Sequence, residues 1–113
     1  MWRMVKPARF LLRTASDLTL DRLRSDEEKQ YSVAKALELI GEAARSLSES
    51  FPAAHPDIPW IQISGMRNIL VHQYHRADWD LIWTTITVRV PAFLAQIEQL
   101  LPVEPPVEPD DMP

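Results

Sequence analysis

Cysteine is absent from the 113-residue chain. That excludes disulfides, thiolate catalysis and cysteine-based zinc sites. Glycine is nearly absent too, with Gly41 and Gly65 the only two. Phosphate-cradling loops of the G-x-x-x-x-G-K-[ST] and G-x-G-x-x-G kinds are therefore missing, and few tight hairpin turns can form. No apolar run approaches the ~18 residues of a membrane span. The first residues carry charges, without an apolar signal core and a small-residue cleavage site. No stretch alternates apolar and polar residues well enough to read as a strand. These absences lead to the expectation of a cytoplasmic, all-α, single-domain protein.

What is present fits a globular chain: 46% hydrophobic and 25% charged residues, with a formal net charge of −4. The charge is unevenly spread. Residues 1–24 hold Arg3, Lys6, Arg9, Arg13, Arg22 and Arg24 against Asp17 and Asp21. Residues 102–113 hold Glu104, Glu108, Asp110 and Asp111 together with five of the ten prolines. Such a Pro-rich acidic end cannot bury enough apolar surface to offset the cost of ordering, and it reads as a flexible tail. The rest, 1–101, reads as one helical domain.

Apolar spacing sets out the helices. Val5 to Ala15 is partly apolar and suggests a short helix, interrupted by Pro7. Thr19 reads as the cap of another short segment through Leu23. Ser25 with Glu28 has the spacing of a capping box, and Val33, Leu37, Ile40, Ala44 and Leu47 recur at 3–4 residue intervals. A helix is expected near 26–50, ended by Pro52 and Pro56. A second starts at Pro59-Trp60 and runs to about 74, with Ile63, Met66, Leu70 and Tyr74 on one side. A last helix, capped by Asp78, covers 79–101 through Ile82, Trp83, Ile86, Val90, Phe93 and Ile97. Pro91 falls inside it and should kink it.

Chemistry concentrates in Gly65-Met-Arg-Asn-Ile-Leu-Val-His-Gln-Tyr-His-Arg-Ala-Asp78. Arg67, Asn68, His72, Tyr74, His75 and Arg76 lie within ten positions. There is no H-E-x-x-H; His72, His75 and Asp78 are spaced by three, without the usual pattern of a metal site. No cofactor or metal is expected. An Arg guanidinium can clamp a phosphate bidentately, and a His near neutral pKa can move a proton to or from a ribose or leaving oxygen. The pair suffices for RNA cleavage by internal transesterification, where the nucleophile is the substrate's own 2′-hydroxyl. On a straight helix, positions five apart point ~140° away from each other. Arg67 and His72 therefore converge only if the helix ends near His72, if the Arg side chain bends round, or if a second chain supplies one of them. Arg67 and Tyr74, seven apart, share a face.

Arg67-x-x-x-x-His72-x-Tyr74 resembles the R-x4-H-x-Y motif of the HepT-like toxins, within the HEPN superfamily of small helical ribonucleases. Further segments agree in order and spacing: Leu37-Glu-Leu-Ile-Gly-Glu-Ala-Ala44, His55-Pro-Asp-Ile-Pro-Trp60, Ile63-Ser-Gly-Met-Arg-Asn68 and Asp80-Leu-Ile-Trp83. The resemblance covers about 18–101. It implies an antiparallel bundle of about four helices that dimerises, with two R-x4-H motifs lining a shared cleft. It also implies a metal-independent endoribonuclease acting on RNA, neutralised by an MntA-type minimal nucleotidyltransferase that adds AMP to the motif tyrosine, here Tyr74. Arg67 and His72 take the catalytic roles, and Asn68 and Glu42 are possible supporting residues. The chain departs from the pattern at its front, where residues 1–17, with Pro7, stand in place of a longer first helix. An alternative from another class is a non-catalytic, nucleotide-binding subunit of a nucleotidyltransferase complex, in which Arg67 and His72 hold phosphate without turnover.

Overall fold

The computed structural model describes residues 2–66 and 78–101. Every regular element among them is helical. The first, α1 (Trp2–Ser16), buries Met4, Val5, Pro7, Ala8 and Leu11, the one-sided spacing of an amphipathic helix. It is longer than its sequence suggests. Pro7 is the sixth residue of the helix, just past the first-turn donors that lack intrahelical partners, so it removes a single backbone bond, to the Arg3 carbonyl, close to the helix end.

Helix α2 (Leu20–Ser25) starts as expected: the Thr19 hydroxyl accepts from the Arg22 N–H at 3.2 Å. The cap of α3 (Glu27–Arg45) is displaced by one residue from expectation. Asp26, in extended conformation, accepts from the Lys29 N–H through Oδ1 at 3.2 Å. Ser25 closes α2 instead, donating its hydroxyl to the carbonyls of Asp21 and Arg22. The break between the two helices is a single residue wide, and a carboxylate there serves both sides: Asp26 Oδ2 also accepts from Arg22 Nε.

Along α3 the expected stripe is buried, with Val33, Leu37, Ile40 and Ala44 facing the core. The helix stops at Arg45, short of the expected 50. Ser46 donates its hydroxyl to the Ala43 carbonyl at 2.8 Å, a local bond that competes with continuation of the helix. Pro52 does not terminate α3. It sits in the first turn of a separate one-turn helix, α4 (Ser50–Ala54), where a missing N–H costs little.

Helix α5 (Trp60–Ser64) follows Pro59. The expected continuation to 74 lies outside the described residues beyond Met66, and so does the tail 102–113. The last helix begins with α6 (Trp79–Thr84), where Asp78 Oδ1 accepts from the Leu81 N–H at 3.0 Å, as expected. It then widens into a π segment, Thr85–Arg89, before continuing as α7 (Val90–Glu98). Within this segment the Val90 N–H reaches the Thr85 carbonyl, five residues back. Pro91 follows directly. Its ring would clash with the carbonyl four residues earlier in a regular α-helix, and the wide turn is how the missing donor is accommodated. Buried Thr85 satisfies its hydroxyl on the Leu81 carbonyl at 2.8 Å.

The core lies between α1, α3 and the last helix. Helix α1 packs against α3, the π segment and α7; α2 packs on α3 and α6; α5 lies on α3. Met4, Leu11, Leu37, Ile40, Ile86 and Ile97 are all fully buried there. Trp60, Trp79 and Trp83 are partly buried against this core. Among the described residues, no helix is long and apolar enough to cross a membrane.

Candidate active site

Arg67, Asn68, His72, Tyr74, His75 and Arg76 lie in 67–77, outside the described residues. What the structure describes is the frame that delivers and receives this segment. On the entry side, Met66 is buried and Ile63 before it is fully so. One turn earlier, the Trp60 indole donates to the His55 carbonyl at 2.8 Å, and the Phe51 ring meets Trp60 edge-on at a centroid distance of 5.8 Å. The His55-Pro-Asp-Ile-Pro-Trp60 run thus works as a clasp. Ile58 fills the core, the indole closes the loop, and Gln96 of α7 donates to the Asp57 carbonyl at 3.1 Å. The chain is anchored on two helices just before Arg67.

On the exit side, Asp78 caps α6 two residues after Arg76. Next to it, Arg24 of α2 pairs with Asp80 across 56 positions of sequence. This ties the start of the last helix to the short helix that precedes α3. Asp78, the carboxylate in the His72/His75/Asp78 spacing, has a structural duty as this cap.

Glu42 is the one sequence-selected site residue within the described structure. It is exposed on α3, so its carboxylate is hydrated and needs no buried partner. Arg45, one turn further along the same helix, lines an open depression of about 290 Å³ with Trp60, Ile61, Ser64 and Gly65. Glu42 is not among the residues that line it. Ile61, on its lip, is 90% exposed. Sequence reasoning passes over Arg45 because it is an ordinary end-of-helix cation. Its place beside Trp60 and Ser64 comes from the way α5 lies on α3, which no local sequence signal marks. The depression sits on the last described turn of chain before Arg67.

The family model described as ribonuclease HepT-like matches residues 6–100. That span takes in most of α1, all of the frame and the whole 67–77 segment. The chain belongs to the ribonuclease HepT-like family. Relatives point the same way. A Thermococcus cleftensis protein named "Probable ribonuclease HepT" is 36% identical over 66% of this chain and 68% of its own length. "Putative RNase MJ0127" of Methanocaldococcus jannaschii is 33% identical over 76% of this chain and 71% of its own. "Putative RNase MJ1380" of the same organism is 30% identical over 87% and 90%. No solved structure matches the chain. The matched span takes in the I-G-E-A, H-P-D-I-P-W and R-x4-H-x-Y segments, and every regular element of the described residues within it is helical.

Proposed function

We propose that the chain is the endoribonuclease toxin of a HepT/MntA-type pair, cutting RNA without a metal ion. The observation that carries this reading is the family match across 6–100 with Arg67-x-x-x-x-His72-x-Tyr74 intact inside it. In the proposed reaction His72 accepts the proton of a ribose 2′-hydroxyl, whose oxygen attacks the adjacent phosphorus. The bond from phosphorus to the 5′-oxygen breaks, and that oxygen takes the proton from the His72 imidazolium, which returns His72 to its neutral form and leaves a 2′,3′-cyclic phosphate. Arg67 clamps the phosphate and stabilises the charge of the crowded phosphorane. Asn68 and Glu42 are supporting residues, one next to Arg67 in the chain and the other exposed on α3. A homodimer supplies two motifs to one cleft, which answers the poor convergence of positions five apart on one helix.

Tyr74 is the proposed acceptor of AMP from an MntA-type nucleotidyltransferase. Its phenolic oxygen would attack the α-phosphorus of ATP and release pyrophosphate. The product is a phosphodiester anion, which on a helix continued through Tyr74 would fall on Arg67's face by the seven-residue spacing and compete for the guanidinium that the substrate needs.

The test is cleavage of a defined RNA in excess chelator. Cleavage should persist and leave 2′,3′-cyclic phosphate ends. His72→Ala and Arg67→Ala should each lower the rate by about 10²–10⁴-fold, the range of general acid–base catalysis, with an unchanged circular dichroism spectrum. Loss of activity on chelation, restored by a divalent ion, would replace this mechanism with a metal-dependent one.

A further inference from the structure

Helix α1 carries Arg3, Lys6, Arg9 and Arg13 and no acidic residue, in a chain whose overall charge is −4. All four cations are exposed. At ~100° per residue they fall within an arc of about 120°, opposite the stripe of Met4, Val5, Ala8 and Leu11 that faces the core. Two aromatic rings stand on the same arc. Trp2 and Phe10 are partly buried against the core, and the Arg9 guanidinium lies 5.9 Å from the Trp2 ring centroid. From Arg3 to Arg13 the row spans ~15 Å of helix axis. Arginine's planar fork suits phosphate oxygens, and an aromatic ring among cations is the pattern that holds successive bases and phosphates of a single strand.

We propose that the exposed face of α1 is a binding track for the sugar–phosphate backbone of single-stranded RNA, with Arg3, Lys6, Arg9 and Arg13 as phosphate contacts and Trp2 as a stacking surface. The proposal rests on the ribonuclease reading for its choice of ligand. An acidic protein segment would also be drawn to the cations, but the interleaved aromatics favour a nucleic acid. Arg9 is shared: its Nε donates to Glu98 Oε1 at 3.1 Å, and both side chains are roughly half exposed. Such a pair can be exchanged for a phosphate at little cost, since water already screens it. The track extends the substrate's footprint beyond the cleaved linkage. It gives a short catalytic segment a means to retain a long, mobile strand.

The experiment measures binding of a fluorescent 12-nucleotide 2′-O-methyl RNA to the full chain by anisotropy between 50 and 300 mM KCl. Methylation removes the internal nucleophile, so cleavage cannot distort the result. Single-strand binding loses about 0.7 from the slope of log K against log salt for each phosphate contact removed. Arg3→Gln/Arg13→Gln should therefore flatten the slope by about 1.4 and weaken binding roughly tenfold or more at 0.1 M salt. Lys29→Gln/Lys35→Gln on α3 makes the same change in net charge and should leave the slope alone. Trp2→Ala should weaken binding without changing the slope. All variants are checked for an unaltered circular dichroism spectrum; glutamine keeps the helix propensity of the replaced arginines.

An unchanged slope in the α1 variant, or an equal loss in the α3 control, overturns the track. So does failure of the wild-type chain to bind. A fluorescent poly-glutamate peptide titrated in parallel tests the other occupant: if Arg3→Gln/Arg13→Gln loses the peptide and keeps the RNA, the face belongs to an acidic protein partner and the track is overturned. Parallel cleavage of unmodified RNA separates this from the reading it rests on. Cleavage with an unchanged slope removes only the track, while slope-sensitive binding without cleavage removes only the ribonuclease assignment.

Discussion

Helices α1 and α3, which pack against each other, hold their shape by different means. Helix α3 has the local signals of a helix: Asp26 at its cap, Glu27 and Glu28 in the first turn, Arg45 in the last, each placed to suit the helix dipole. Helix α1 has Arg3 in its first turn and no acidic residue there, and it tolerates Pro7 inside. Its length is supported instead by burial of Met4, Val5, Ala8 and Leu11 against α3 and the last helix. Tertiary packing can replace missing local signals. A helix held by its inner face has an outer face under little demand from folding, which suits the proposed track on α1.

The comparison can be broken most forcefully at the core. Leu11→Ala and Leu37→Ala each remove a fully buried side chain and should cost about 2–5 kcal/mol in unfolding free energy. Their consequences should differ in kind. Amide hydrogen exchange should show α1 losing protection as a unit in Leu11→Ala, while α3 amides in Leu37→Ala lose protection mainly through global unfolding. Equal behaviour would show that α1 carries more local stability than its sequence explains.

The next effect tests the signal at the α3 cap. The Lys29 N–H and the Arg22 guanidinium hold the Asp26 carboxyl below its ordinary value. A carboxyl whose folded pKa is depressed contributes stability above its unfolded pKa and loses it as pH falls through the folded value. Thermal melts of the wild type should therefore fall more steeply below pH 4 than those of Asp26→Asn, which keeps a capping oxygen but has no proton to take up. Parallel curves for the two would remove the carboxylate from the account.

The smallest effect belongs to the exposed pair between α1 and α7. Glu98→Gln should change stability by less than about 1 kcal/mol, and the change should shrink further in 0.5 M salt. A larger loss in a urea titration would mean that α1 depends on its polar face as well.

Much of the frame was legible in the sequence because its signals are local. Thr19 and Asp78 cap the helices assigned to them, and Val33, Leu37, Ile40 and Ala44 form the buried stripe their spacing implies. The misses arose where two local options competed. Ser25 and Asp26 are adjacent, and only the one-residue gap between α2 and α3 decides which caps. Pro52 and Pro56 look like stops, but α3 has already ended at Arg45, where the Ser46 hydroxyl turns back to the Ala43 carbonyl. Helix α1 was underestimated because its support is long-range. Of the candidate site, Arg67, His72 and Tyr74 were legible as a motif, and the family match encloses them. Arg45 was not, because its place beside Trp60 and Ser64 depends on how α5 lies against α3.

The wide turn at Thr85–Arg89 makes the last helix tolerant of a change in length that its neighbours cannot absorb. Deleting one residue from α3 would rotate everything after it by about 100° and turn the apolar stripe out of the core. The π segment already holds one residue more than a regular turn needs. Exposed Val88 could be deleted, with Pro91 exchanged for alanine to restore the backbone donor, leaving an ordinary α-helix whose flanking stretches keep their phase. In this bundle, a one-residue deletion has an entry point inside a helix, next to a proline, and not only in the connecting loops.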